Sequence, residues 1–471
     1  MKKPELLVPA GSLDRLKTAI LYGADAVYCG TPSMSLRAQS KFTLDEVLEG
    51  VEFAHARGKK VYLTVNLFAH NSDIQKLPEY VEVLKKIKPD GAIVADPAVF
   101  MYLKENAPKL NLHVSTQSNV TSWMGVKFWQ DLGAKMCVLA RELSFEELTE
   151  IRQKCPEIRL ETFVHGAMCM SYSGRCLLSN YFTGRCANQG KCAHSCRWNY
   201  KVHLKLKDEV SKEILLNEDT RKLFDFLLEE EVRPDDLLEI EEFAGGSYLM
   251  NSKDLCLLPV LPEFLKIGVD CLKIEGRNKT QYYSGMVARA YRKAIDDYFD
   301  NPNTWDYNKY LDELYTISNR GFSLAFAHEK PTYLANNYNM TKSLSEYEFA
   351  GYVESWGKDY LNVAIKNRLD TGDCLEFISP SLNDSIKMTI NEFINAKTDE
   401  ITTVIHAGQD PVIRIPLEWF TENNHMSKDQ IMMSLPPLSL IRKKKKLNEA
   451  EAERIKQDKI AFKKEIIGDN C

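Results

Sequence analysis

ETFVHGAMCMSYSGRCLLSNYFTGRCANQGKCAHSC, residues 161–196, starts as a strand and then loses all regular period. Its opening belongs to the short apolar run Leu160–Val164, and beyond it neither helical spacing nor alternation continues. Five of the twelve cysteines of the chain lie in the stretch, at 169, 176, 186, 192 and 196, while the other seven are scattered singly. Glycines 166, 174, 184 and 190, with Ser171, Ser173 and Asn188, suit irregular backbone wrapped around an ion. Thiolates are soft ligands for zinc or iron-sulfur centres, and four of them close a coordination shell. The set Cys169-x6-Cys176-x15-Cys192-x3-Cys196, with Cys186 left over, has neither the paired spacing of a zinc ribbon nor the tight run of a bacterial ferredoxin. Bound metal is the favoured reading over thiols that merely share a loop, and iron-sulfur is preferred to zinc, although spacing does not decide between them.

Working outward, short apolar runs alternate with amphipathic stretches from the N-terminus onward, the pattern of parallel strands joined by helices. The strands are expected at Glu5–Val8, Ala26–Cys29, Val61–Val65, Ala92–Ala95, Leu112–Ser115, Met136–Leu139, Leu160–Val164 and Cys271–Ile274. Eight such units predict an α/β fold, a (β/α)8 TIM-like barrel over residues 1–300, with the cysteine-rich loop and an insertion at 166–270 after the seventh strand. An open doubly wound sheet is the runner-up. The insertion begins with the alternating segment 200–207 and turns acidic near Glu229–Glu231, which reads as a solvated cover. Residues 301–345 are expected to link the barrel to a small antiparallel β-barrel at 346–440, where alternating segments are separated by Gly, Asp and Asn turns. A charged helical tail, 441–471, opens with the basic run Arg442–Lys446, a weak signal for RNA and more often a solvated end.

In such a barrel the chemistry gathers where strands run into their following loops. Those positions hold Gly11, Gly30, Asn66, Asp96, Gln117, Arg141 with Glu142, His165, and Glu275 with Arg277. His165 beside the cysteines is a candidate for catalysis and His113 a candidate for substrate binding, each weighed against a hydrogen-bonded core role. Asn66 and Gln117 could bind substrate or cap strand ends. Arg141 and Arg277 could equally pair with Glu142 and Glu275. Aromatics Phe163, Tyr172, Tyr181, Phe182, Trp198 and Tyr200 could stack on an extruded base, but shielding the cluster from water is the plainer reading.

The net charge of −5 gives no global attraction for nucleic acid, so RNA binding would require a local basic patch. No segment approaches eighteen uncharged apolar residues and the N-terminus lacks a signal-peptide core, which leads to the expectation of a cytoplasmic protein with reduced thiols and no membrane contact.

Glu161-x-Phe163-x-x-Gly166-Ala167-Met168-Cys169-x4-Gly174-x-Cys176-x-Leu178-Ser179 resembles the signature of the collagenase-like peptidase family of unknown catalytic mechanism. ELLVPAG (5–11), GADAVYCG (23–30), HVSTQSN (113–119), RELS (141–144), NSKDL (251–255), KIEGR (273–277) and NRGF (319–322) resemble its other blocks in the same order. The likeness leans toward the members that hydroxylate wobble uridines of tRNA. It implies a tRNA-modifying enzyme with an iron-sulfur cluster, expected as 4Fe-4S, and prephenate as co-substrate. Prephenate is a dicarboxylate, and Arg37, Arg141 and Arg277 are the guanidinium groups expected near the barrel mouth to bind it, with Arg277 also taken as catalytic beside His165. In relatives of the family the fourth ligand comes from a later region, but here 241–246 has no cysteine, so Cys196 is assigned, with Cys186 and Cys256 as substitutes. Some relatives work with a partner subunit, so a protein partner is a further expectation.

Proteolysis is the alternative. The chain has no HExxH zinc motif and no GxSxG nucleophile elbow. A cysteine nucleophile beside His165 or His194 can be drawn on paper, but cysteines that ligate metal are not free to attack a peptide carbonyl.

Overall fold

The computed structural model describes residues 1–31, 34–35, 42–198, 251–328, 331, 335–337, 343–381, 384–408, 411–424 and 426–467, with the backbone of a few short strands between 203 and 247. The alternation read from the sequence becomes eight parallel strands: β1 (Glu5–Pro9), β2 (Ala26–Gly30), β3 (Lys60–Val65), β4 (Gly91–Val94), β5 (Asn111–Val114), β6 (Met136–Val138), β7 (Arg159–Ala167) and β8 (Cys271–Ile274). Each pairs with the next, and β8 pairs with both β7 and β1, so the ring closes and the open sheet is excluded. Both faces of these strands are covered, which is why their sequences read as continuous apolar runs.

The helices between the strands start where local chemistry supplies their first hydrogen bonds. Thr43 and Glu46 form a capping box for Leu44–His55, and Ser144 and Glu147 do the same for Phe145–Lys154. Asp96 accepts from the amides of Ala98 and Val99 while Pro97 fills the first helical position, so its carboxylate serves as a cap. The long helix Gln281–Asp300 closes the outer layer against β1 and the helix Leu13–Leu21.

The barrel interior is not wholly apolar. Glu161 on β7 and Lys273 on β8 are both buried and meet at 2.6 Å, with the Lys273 ammonium also 4.6 Å from the ring centre of Tyr28 and 5.2 Å from that of Phe163. A buried pair of this kind adds little net stability, but losing one partner strands the other charge.

The expected linker lies along the barrel wall: Phe322–Ser323 extends the sheet beside Asp254–Cys256, which runs antiparallel to β7, and Arg320 forms a buried ion pair with Asp254. The small C-terminal domain takes the form of a curled antiparallel sheet of eight strands around its own apolar core. Its strand order is Ile386–Thr389, Cys374–Ile378, Leu440–Lys444, Tyr347–Trp356, Tyr360–Ile365, Val412–Pro416, Phe393–Asn395 and Ile401–Thr402. The domain therefore runs past residue 440. The tail helix expected from 441 spans Glu449–Ile467, and the start of the basic run is an inner strand. Arg442 pairs with Glu376 at 2.8 Å, and Lys443 with Asp373 at 2.7 Å and Glu348 at 3.3 Å, so these cations are neutralised by the sheet. The segment 200–207 falls mostly outside the described residues; within it, backbone His203–Lys205 pairs antiparallel with Glu213–Leu215. Among the described residues no helix is long and apolar enough to cross a membrane.

The tail helix returns to the barrel wall. Phe462 is fully buried with its ring 5.8 Å from that of Phe322, and Glu465 accepts from the Ser323 hydroxyl and the Leu324 amide. Phe462→Ala leaves a cavity that should cost about 3–5 kcal/mol. The expected result is faster amide hydrogen exchange along the whole of Glu449–Ile467, and an unchanged exchange pattern would contradict this anchoring.

Candidate active site

The C-terminal rim of the barrel is a ring of polar side chains joined in pairs. On the β3 and β5 side, Asn66 donates to Gln117 Oε1 at 2.8 Å, which also accepts from Ser115 Oγ at 3.1 Å. Arg277, past β8, is buried and donates to Ser35 Oγ at 2.9 Å and Thr64 Oγ1 at 2.6 Å, so it reaches back across the mouth to β2 and β3. Arg141, past β6, pairs with Glu275 at 3.0 Å, donates to the Ala167 carbonyl, and lies over the Phe163 ring with its guanidinium carbon 3.9 Å from the ring centre. Phe163 is thus held between Arg141 above and Lys273 below. The pairing expected within Arg141–Glu142 and Glu275–Arg277 is replaced by pairing between loops. Glu142 instead accepts from the Ser173 amide at 2.8 Å and the Ser173 hydroxyl at 3.1 Å, tying the cysteine loop to the rim.

The loop is folded by its own small polar residues. Ser179, buried, donates to the Arg185 carbonyl at 2.7 Å and accepts from the Ala193 amide at 2.8 Å, joining three turns. Asn188 Nδ2 donates to the Gly174 carbonyl, and the Asn188 carbonyl accepts from the Phe68 amide after β3. Gly174 has φ +76°, and a Cβ there would stand 2.1 Å from the Gln117 carbonyl oxygen, so only glycine lets the loop settle on the β5 rim. The loop spans the mouth from β3 to β6.

The four expected thiol ligands all lie on this loop. Burial raises the Cys196 pKa, and its sulfur is close enough to feel Cys169, Cys192 and Cys176, the other three expected ligands. Cys169 has an exposed side chain whose pKa is nevertheless raised chiefly by desolvation; Arg141 and Arg197 lower it, Glu275 and Cys176 raise it. Cys169 therefore connects the sulfur group to the Arg141–Glu275 pair. Among the described residues no three His, Cys, Asp or Glu side chains are arranged to hold a metal ion, and no disulfide forms. The four thiols are soft donors drawn from one loop, the right chemistry for a cluster, but in this arrangement they do not form a closed coordination shell. Cys256 is fully buried on the strand beside β7, its thiol pushed up to about 12 by burial, which makes it a core residue.

The two histidines lie off the mouth. His113 on β5 packs edge-on to Tyr62 at 4.6 Å inside the barrel. His165 is 1% exposed and ringed by Tyr283, Tyr291 and Phe322 at 6.0, 5.6 and 5.5 Å. The register between β7 and β8 slips between Lys273 and Ile274, placing Ile274 opposite His165; this bulge turns His165 toward the helical layer, away from the face of Glu161 and Phe163. Neither Nδ1 has a hydrogen-bond partner. Arg37 lies outside the described residues. The residues that sequence alone did not bring forward are Ser35, Thr64 and the Glu161–Lys273 pair. A charge in each of two apolar strand runs, LETF and CLKI, was the available signal for the last.

Two consequences are measurable. Gly174→Ala should lift the loop from Gln117 and expose 168–198 to limited proteolysis; a digestion pattern like that of the parent chain would contradict the docking. Burial lowers the pKa of both His113 and His165 to about 3. In the unfolded chain they take up protons near 6.5, so stability present above pH 6.5 should be lost as pH falls toward 3, each imidazole contributing a slope of about 1.4 kcal/mol per pH unit. Urea unfolding at pH 7 and pH 5 should show this loss, and equal midpoints would contradict it.

The family description Peptidase family U32 matches residues 11–337, and that of the Peptidase family U32 C-terminal domain matches 345–426. The chain is 37% identical over 441 residues to the tRNA hydroxylation protein P of Haemophilus influenzae, covering 88% of this chain and 94% of that protein. It is 37% identical over 448 residues to the protein of the same name from Escherichia coli, covering 90% and 96%. A Porphyromonas gingivalis protein named collagenase is 32% identical over 333 residues, covering 68% of this chain and 72% of that protein. Matches that run from the first barrel loop through the cysteine loop and on into the antiparallel sheet leave one conclusion: the chain belongs to peptidase family U32.

Proposed function

We propose that this protein is an enzyme of tRNA hydroxylation that installs the 5-hydroxyl of wobble uridine, with prephenate as co-substrate and an iron-sulfur cluster on Cys169, Cys176, Cys192 and Cys196. The observation that carries this reading is 37% identity over about nine tenths of the chain to proteins named for tRNA hydroxylation. The chemistry of the rim supports it. Replacing the C5 hydrogen of uridine by hydroxyl is an oxidation that side chains alone do not perform, and a bound cluster supplies electron transfer or Lewis acidity. Arg141 and Arg277 are the carboxylate-binding groups in this reading. Arg277 is aimed across the mouth and preset by Ser35 and Thr64, while Arg141 is steadied by Phe163 and Glu275. Asn66 and Gln117 supply neutral hydrogen-bonding groups beside them, under the cysteine loop.

Proteolysis would require a nucleophile and base in contact. His165 is buried among aromatic rings and is withdrawn from the loop, which leaves His194, on the loop beside Cys192, as the histidine that reading would have to use. The deciding measurement is mass spectrometry of tRNA nucleosides from a deletion strain. Loss of 5-hydroxyuridine derivatives, restored by the parent gene and not by Cys169→Ala, is expected; an unchanged nucleoside profile would sink the reading. Gelatin cleavage by the purified chain, abolished by a point substitution that leaves it folded, would favour the peptidase instead.

A further inference from the structure

Four of the aromatic side chains of the cysteine loop are open to water, and Tyr200 lies outside the described residues. Phe163 is buried in the barrel, but Tyr172 is 63% exposed, Tyr181 84%, Phe182 46% and Trp198 41%. Among the described residues one other large aromatic, Phe128, is exposed, so the exposed rings of the chain are concentrated on this loop. Tyr181, Phe182 and Trp198 stand in a row, with ring centres 5.2 and 6.2 Å apart. Such faces left to water cost free energy unless something covers them.

The charge on the same loop identifies what fits. The chain has a net charge of −5, yet no aspartate or glutamate occurs between Glu161 and Asp208. Arg175, Arg185, Lys191 and Arg197 fall in that interval, each directly next to a cysteine of the set 176, 186, 192 and 196. Arg175, Arg185 and Lys191 are exposed. Arg185 donates to the Lys191 carbonyl, a bond that leaves its charge uncompensated, whereas Arg197 donates to the Met168 carbonyl and feels Asp254. The basic run at Arg442–Lys443, by contrast, is cancelled by Glu376, Asp373 and Glu348.

We propose that the face formed by Tyr181, Phe182 and Trp198 with Arg175, Arg185 and Lys191 is the docking surface for a single-stranded RNA loop, whose bases stack on the rings while its phosphates meet the cations. Unpaired bases expose the π faces that a duplex hides, and a loop that carries exposed rings and exposed cations and no acid suits that polymer. An acidic protein would match the charge but would not need three adjacent, solvent-facing rings at a barrel mouth. This inference rests on the tRNA reading and adds to it where the RNA lies: beside the thiols, so that a base lifted from its loop enters over the rim.

The test uses the full chain and a fluorescein-labelled RNA stem-loop with a seven-nucleotide uridine-containing loop, compared with a blunt duplex of equal length, by fluorescence anisotropy across a salt series. Tyr181→Ala should weaken stem-loop binding about 5- to 150-fold, the range for one lost stacked base, whereas Tyr181→Trp should retain it. Arg175→Gln with Lys191→Gln should make the plot of log affinity against log salt shallower by about 1.4 units, as two phosphate contacts on a single strand are lost. Cations that serve only to balance thiolate charge would leave this slope unchanged. Parent-level binding by Tyr181→Ala and the double variant would overturn the surface while leaving the tRNA reading intact. No stem-loop binding by the parent chain would overturn both, as would equal affinity for the duplex in the case of the surface. Loss of a co-purifying protein from Tyr181→Ala, with RNA binding unchanged, would assign the face to a protein partner instead.

Discussion

A ring of parallel strands gives all of its forward ends to one rim, and in this chain the ring depends on β8 bonding to both β7 and β1. Without that closure Arg277 could not reach Ser35 and Thr64, and Arg141 could not meet Glu275, because the partners come from opposite parts of the sequence. Hydrogen bonding around the cylinder is thus what turns scattered polar residues into one surface. The Glu161–Lys273 pair lies below it, and Phe163 transmits its position to Arg141 through two cation contacts.

The cysteine loop uses that rim as a foundation. Its attachments are few and chemically distinct: Glu142 to Ser173, the bare Gly174 against Gln117, and Asn188 between Gly174 and Phe68. They hold in place a segment whose regular structure is limited to the short helical turns Leu178–Thr183, Ala187–Gln189 and Ser195–Arg197, and they set Cys169 near Arg141 and Arg197. The segment presents rings to water.

All eight strands were legible because strands covered on both faces leave uninterrupted apolar runs, and the cysteine crowding was legible because it departs from chance spacing. Three things were not. The slip opposite Lys273 sends His165 to the aromatic layer, and alternation read along β7 cannot reveal a bulge. Ion pairing between loops, Arg141 with Glu275, competes with sequence neighbours and is decided only by closure. Arg442–Lys444 has the composition of a solvated tail, but its acidic partners Glu376 and Asp373 sit far back in the chain, so its place as an inner strand is a tertiary effect.

The contact of Phe462 with Phe322 has a consequence for biogenesis. Phe322 also packs on His165, so the outer wall behind β7 is completed by a residue that lies far later in the chain than any barrel strand. Until Phe462 has left the ribosome that wall stays uncovered, although the barrel strands emerged long before. A nascent chain in this condition offers an apolar seam to chaperones, and a chain cut before Phe462 would stay open along that seam.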